Sequence, residues 1–387
     1  MVEKVIVRHD SDQVLHHTLD LLRMFGFEIQ PNSTRLGKYV GWMYRFANGL
    51  FASISAIMLA VSLWTKPTHL PLYCVLMLIV TMIVTACVTM KNGRKILKSL
   101  DGLLNTLSGH QKDGLRKYGR RIVFGYEIGL IILTVFGLVV PFGFKSFEVS
   151  KLMVTFEMPD GYTGLVLDSL SFFSSAYPVM SCTTHVILYA MVQKILAQHA
   201  KGLRCLTASV TKSEDDQSKL IDLITLRYVQ HVNSKQFVNS TLGVVPLMMF
   251  IELFMFSTLG LSYVIIYQTG FSLFFVICCI GSYCLVSFIV VYFMVFSATT
   301  ATDELEKCRS KIIEMIALSK NINCADEKKA LYRLVTGLGT VESSAYGLFD
   351  VNSTLALSFP NAMIPFLVMI LTSYSQLSTD TNAQRKL

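Results

Sequence analysis

Charge is what this sequence has least of. Only 16% of its 387 residues are Asp, Glu, Lys or Arg, against about 25% in a typical soluble domain, while 52% are hydrophobic and mean hydropathy is +0.52. A chain that apolar points to a polytopic membrane protein. Catalytic signatures are missing too. There is no P-loop, no G-x-S-x-G and no H-E-x-x-H, and no Cys or His cluster has the spacing of a metal site. No cofactor is expected, and an enzyme is the most distant reading. Residues 1–31 hold five acids and three bases and no apolar run of signal-peptide length. The first hydrophobic helix is therefore expected to act as its own insertion signal.

A membrane-crossing helix needs about 20 predominantly apolar residues. Seven stretches supply them: 46–64, 70–90, 122–144, 165–191, 242–267, 271–297 and 349–374. The basic residues between them are strongly asymmetric. Of 34 Lys and Arg, 29 fall in the N-terminal segment and in alternate loops, and the other side receives Lys66, Lys145, Lys151, Arg385 and Lys386. The basic side is cytoplasmic, so the N-terminus is expected inside and the C-terminus outside. The excess positive charge is thus read as topology, and no nucleic-acid partner is expected. The chain divides accordingly. A cytoplasmic segment (1–45) precedes a six-helix transmembrane bundle with intervening cytosolic helices (46–297). A cytosolic anchor segment (298–348), a seventh helix (349–377) and an extracellular tail (378–387) follow.

Cysteine is not used for extracellular bridging. Six of the nine lie in spans and three in inner loops, so no extracellular disulfide is expected. The sequons at Asn32 and Asn239 are cytoplasmic in this topology, and Asn352 sits at the inner end of span seven. All three are expected to stay unglycosylated.

The inner loops are long and patterned. Leu220, Leu223, Ile224, Tyr228 and Val232 recur with helical spacing, as do Leu305, Cys308, Ile312, Ile316 and Leu318. These predict helices that extend the spans into the cytosol and pack on one another. Residues 328–338 fit a further helix.

Five ionisable residues lie in the spans, where a charge is costly and faces a cavity or a partner. Glu127 reaches interfacial water, Asp350 is placed to cap span seven, and His185 reads as a hydrogen-bonded core histidine. Glu252 is the deepest acid, with an internal hydrogen-bonding role and a ligand role both open. Asp168, near the outer end of span four, stands four residues from Phe172. Together with Phe136, Tyr263 and Tyr283 it makes a candidate outer-half pocket: an apolar cavity with a few orienting polar groups. An interfacial aromatic belt with plain packing is the competing account.

The last apolar stretch is the odd one. It carries Pro360 and Pro365 and ends in a polar run from Thr372 to Gln376. It is preceded by G-L-F-D-V-N, Gly347 to Asn352. This approach, followed by a C-terminal span, resembles the insect gustatory receptor family. That family has Gly-x-Phe before its last helix, then Thr-Tyr, five hydrophobic residues and Gln-Phe. In register here stand Pro365-Phe366, Leu367 to Leu371, and Thr372-Ser373. The five-residue apolar spacer and an aromatic second position are kept, while Thr, Gln and the final Phe are not. Length and predicted topology fit the related insect odorant receptors nearly as well.

The resemblance implies an all-α, seven-helix, ligand-gated cation channel of the plasma membrane, assembled as a homotetramer or as a heterotetramer with related subunits. A small-molecule tastant would bind in the outer half of the bundle, and permeant cations would cross between seventh helices in membrane lipid. On that basis Pro365 marks a bend, Phe366 takes the aromatic position, and Leu371, Thr372 and Ser373 stand at the gate. Two other classes compete. A G-protein-coupled receptor needs an outside N-terminus, and the D-R-Y and N-P-x-x-Y runs are absent. A transporter would favour broken helices in repeat-related pairs.

Overall fold

Polar and apolar stretches of this chain share single helices, and that sets the architecture. The computed structural model describes residues 13–25, 70–143, 162–210, 217–254, 273–318, 325–339, 341–345 and 347–355, with single helical positions in 39–57 and 358–372. Eight helices are used here: α1 His16–Met24, α2 Leu70–Leu104, α3 Gly109–Gly143, α4 Tyr162–Val210, α5 Gln217–Leu242, α6 Val244–Phe254, α7 Leu273–Leu318 and α8 Ala325–Leu338. The only strand-like pairing among the described residues is one isolated bridge, Ser344 with Asp350.

Four of these helices pass from an apolar stretch into a charged one without a break. α4 continues 19 residues beyond the apolar run that ends at Met191, and α7 continues 21 beyond Ser297. The helix inferred from periodicity on α7, like the charged end of α4, is therefore a direct extension of an apolar stretch. The exception is span five. Pro246 has no N–H to donate to the Leu242 carbonyl, so the helical ladder breaks there. α6 sets off at 42° to α5 with Gly243 between them.

Two apolar cores follow. The larger joins α1, α2, α4, α6, α7 and the segment around Val351, with α4 against α7 the most extensive packing. The second lies wholly in the charged half. It is built from Leu203 of α4, Ile224, Tyr228 and Val232 of α5, Leu305 and Ile312 of α7, and Leu331 of α8. Periodicity placed most of these residues correctly. Leu220, Leu223 and Ile316 are only partly buried, and Ile221 and Met315 take the inner positions. Burying each such side chain contributes about 1.5–3 kcal/mol. Charged bridges at the rim, Arg204 to Glu304 at 3.2 Å between α4 and α7, add little.

On the outer surface of the apolar half, burial reverses. Val80, Ile83 and Met90 on α2, Phe124, Ile128 and Ile131 on α3, and Ile289, Tyr292 and Phe296 on α7 are exposed at helical spacing. The opposite face of α2 carries buried Thr81, Thr85 and Thr89. Apolar stripes outward and hydroxyls inward are what a bilayer demands, since lipid has no hydrogen-bonding capacity. The polar N-terminal segment holds a surprise in α1. Its Leu15, Leu19 and Leu22 enter the larger core and Leu21 packs near Val123, so α1 is docked on α3 and α4.

Candidate functional site: the approach to the last helix

The Gly347–Asn352 run forms a short hairpin-like turn that feeds the C-terminal helical positions. Ala345 N–H donates to the Phe349 carbonyl at 2.8 Å, and Val351 N–H donates to the Ser343 carbonyl at 2.6 Å. The reversal needs a left-handed residue, and Gly347 supplies it with φ +78°. The ring of Phe349 then meets Phe250 of α6 edge to face, centroids 5.5 Å apart at 89°. Asn352 caps the helix, its Oδ1 accepting the Leu355 N–H at 3.0 Å. The cap had been expected at Asp350. That residue is instead in the backbone bridge to Ser344, two positions before the cap.

The turn is tied to three other helices. Asn239 of α5 donates through Nδ2 to the Glu342 carbonyl at 2.6 Å. Ser343 is buried and within 3.4 Å of Gln193 Oε1 on α4 and 3.5 Å of the Ala298 carbonyl on α7. The helices of the charged half are thereby hydrogen-bonded to the base of the last helix.

Beyond the cap, the described positions of that helix present one face. Ser358, Asn361, Ile364, Pro365, Val368, Met369 and Thr372 are helical and exposed, with Ile364, Val368 and Met369 each at 57%. Thr372 Oγ1 is satisfied within the helix by the Val368 carbonyl. A face mixing Asn and Thr with Ile, Val and Met suits neighbouring helices and water as well as lipid. Of the other gate candidates, Phe366, Leu371 and Ser373 lie outside the described residues.

The candidate ligand contacts are dispersed over three helices and one undescribed stretch. Phe136 falls on α3, Asp168 and Phe172 on α4, and Tyr283 on α7, with their side chains outside the described set; Tyr263 lies outside it altogether. Of the intramembrane ionisables, His185 is fully buried and its Nδ1 is 2.8 Å from the Ser181 carbonyl, as a core histidine requires. Glu252 is buried against Cys182, and Glu127 is exposed.

Sequence reasoning missed a polar cluster in the charged half. His199 of α4 and His231 of α5 are buried with their Nδ1 atoms 3.1 Å apart. Burial, reinforced by Arg227, holds His199 down to about 4, and burial with the neighbouring His199 and Lys235 holds His231 well below the ordinary range. One helical turn on, Lys235 is fully buried and donates through Nζ to Thr302 Oγ1 of α7 at 2.9 Å. Burial pulls its amine down to about 7 against the counter-pull of Glu342 and Asp303. Nothing in one dimension marks these residues, because the helical pattern alone does not place His199 opposite His231. Among the described residues no group of three His, Cys, Asp or Glu is placed to hold a metal.

An all-helical chain with lipid-type outer faces, helices running on into a second core, and a capped helix leaving that core has the architecture of a polytopic membrane protein. Two solved structures share this fold. The insect olfactory receptor OR5 from Machilis hrabei in complex with eugenol superposes with TM-score 0.69 over 94% of this chain and 99% of its own, at 14% identity. A second structure of the same receptor gives TM-score 0.68 over 92% and 97%, at 13% identity. No family model matches the chain, and no curated protein matches it.

Proposed function

We propose that this chain is a chemoreceptor subunit of the insect olfactory and gustatory type, working as a ligand-gated, non-selective cation channel in the plasma membrane. The observation that carries the reading is near end-to-end similarity in fold to an olfactory receptor. The eugenol held by that receptor is consistent with a small organic ligand here. Because both solved neighbours are olfactory, the odorant reading is better supported than the gustatory one. The Gly347–Asn352 run is what speaks for taste.

In this reading four subunits meet through the charged-half helices, and their last helices surround a central pore. The exposed face from Ser358 to Thr372 would meet the pore and the neighbouring subunits. Asp168, Phe172, Phe136, Tyr263 and Tyr283 would line the outer pocket. Ligand opens the pore only to the extent that it binds the open state more tightly than the closed one. The reading makes the chain a receptor and not an enzyme.

The test is whole-cell recording from cells expressing this chain, alone and with related subunits. Panels of odorants and tastants are applied, and epitope tags report sidedness. A ligand-evoked cation current with the N-terminus inside supports the proposal. An outside N-terminus overturns it.

A further inference from the structure

A cleft of about 350 Å³ opens in the charged half, between the α2–α3 turn, α4 and α5. Its polar wall is cationic. Arg227 of α5 lines it, and no ion pair engages this guanidinium among the described residues. Among the described residues no carboxylate lines the cleft. Opposite stands the first turn of α3. Ser108 and Gln111 cap it reciprocally, Ser108 N–H to Gln111 Oε1 at 3.0 Å and Gln111 N–H to Ser108 Oγ at 3.4 Å. The positive end of that helix dipole therefore faces the same space.

The third direction is supplied by His199. It lines the cleft, is 98% buried, and its Nε2 has no hydrogen-bond partner. Its Nδ1 is taken up by His231. If His231 donates across that contact, His199 must carry its proton on Nε2, so an acceptor in the cleft selects this tautomer. Three donors from three elements, the Arg227 guanidinium, His199 Nε2 and the Gln111 Nε2 amide that the cap leaves over, suit a tetrahedral anion better than a planar carboxylate. The remaining wall is apolar, Leu107, Leu203 and Leu206, with Gly202 between them and Gln111.

Depth separates two sources of phosphate. Thr106, Cys205 and Arg227 lie 14 to 16 residues from the ends of their apolar stretches, which at helical rise is about 20–25 Å from the membrane face. A lipid headgroup does not reach that far.

We propose that this cleft binds a small phosphorylated metabolite from the cytosol, its phosphate held by Arg227, His199 and the first turn of α3, its organic part against the leucines. That the metabolite is cytosolic rests on the charge-based orientation; the binding chemistry does not. Cys205 is exposed and lines the same cleft, so it reports occupancy.

The experiment alkylates the full-length protein in nanodiscs with N-ethylmaleimide and follows the Cys205 peptide by mass spectrometry. The probe is AMP, with adenosine as the phosphate-free control. AMP is expected to slow Cys205 alkylation saturably by about fivefold, with adenosine about tenfold weaker, as loss of a charge-assisted contact requires. Arg227→Gln is expected to raise the half-protecting AMP concentration about tenfold without changing the elution of the assembly. Failure of AMP and of glucose 6-phosphate to protect overturns the proposal. So does equal protection by adenosine, or protection only when phosphoinositide is built into the nanodisc.

Discussion

His199 and His231 face each other through their Nδ1 atoms at 3.1 Å, rings nearly parallel with centroids 5.2 Å apart, inside the charged half of the bundle. Two imidazoles sharing one hydrogen bond tolerate at most one proton between them, and a second charge has no counter-ion in that contact. Lys235, one turn along α5, adds a third nitrogen to the same interior. The helices that carry this cluster also hold the turn below the last helix.

The histidine pair should make the protein acid-labile. His199 titrates near 4 in the folded chain and near its ordinary value of about 6.5 once unfolded. The unfolded chain therefore takes up the proton first, and stability is fully present above pH 6.5 and lost as pH falls toward 4. The loss from His199 alone is about 3 kcal/mol. Thermal unfolding of the detergent-solubilised protein from pH 8 to pH 4 measures it. An acid limb just as steep in the His199→Leu, His231→Leu double variant would assign the effect elsewhere.

Lys235 works over a different range. Its folded value of about 7 lies below the unfolded value of about 10.4, so the unfolded chain binds more protons between them. Stability should rise as pH goes from 7 to 10. Lys235→Met is expected to flatten that rise, and an unchanged slope would sink the assignment.

Gly347 should not accept a β-branched residue. A side chain at φ +78° is strained by about 1–3 kcal/mol. Gly347→Val is expected to lower thermal stability by that amount and Gly347→Asn by less, because Asn tolerates the left-handed region. Equal effects would mean that space, and not backbone conformation, decides the position.

Asn352→Ala should cost about 1 kcal/mol through the lost cap, and Asn352→Asp should restore most of it. Asp350→Ala should not mimic the cap loss. If it does, the helix begins at Asp350 after all.

On the channel reading, Thr372→Phe or Phe366→Ala should change conduction or resting leak without loss of surface expression, and Asp168→Ala should shift ligand potency. Unchanged currents in verified expressed variants would remove Thr372 and Phe366 from the pore. Identical dose responses would return Asp168 to the membrane interface.

Much of the fold was legible because it depends on quantities that add along the chain. Apolar length marks a span, and helical period marks a buried face. The predicted face of α7 held at Leu305, Cys308 and Ile312 because one stripe on one helix meets one core. The prediction drifted where two neighbours compete for the same helix, so Met315 replaces Ile316 inside. The N-terminal helix was missed because the five acids and three bases of residues 1–31 mask a short leucine face that means nothing until α3 and α4 are beside it.

By itself the sequence determined a membrane protein of many spans, the sidedness its basic residues favour, and the unusual chemistry of the last apolar stretch. Those follow from transfer free energies, which act residue by residue. Only the tertiary structure decided that His199 meets His231 across 32 positions, that Arg227 faces the turn between α2 and α3, and that Asn352 caps what Asp350 cannot reach. Short-range contacts between distant residues depend on how helices cross, and a crossing angle is a property of two packed surfaces and not of either sequence alone.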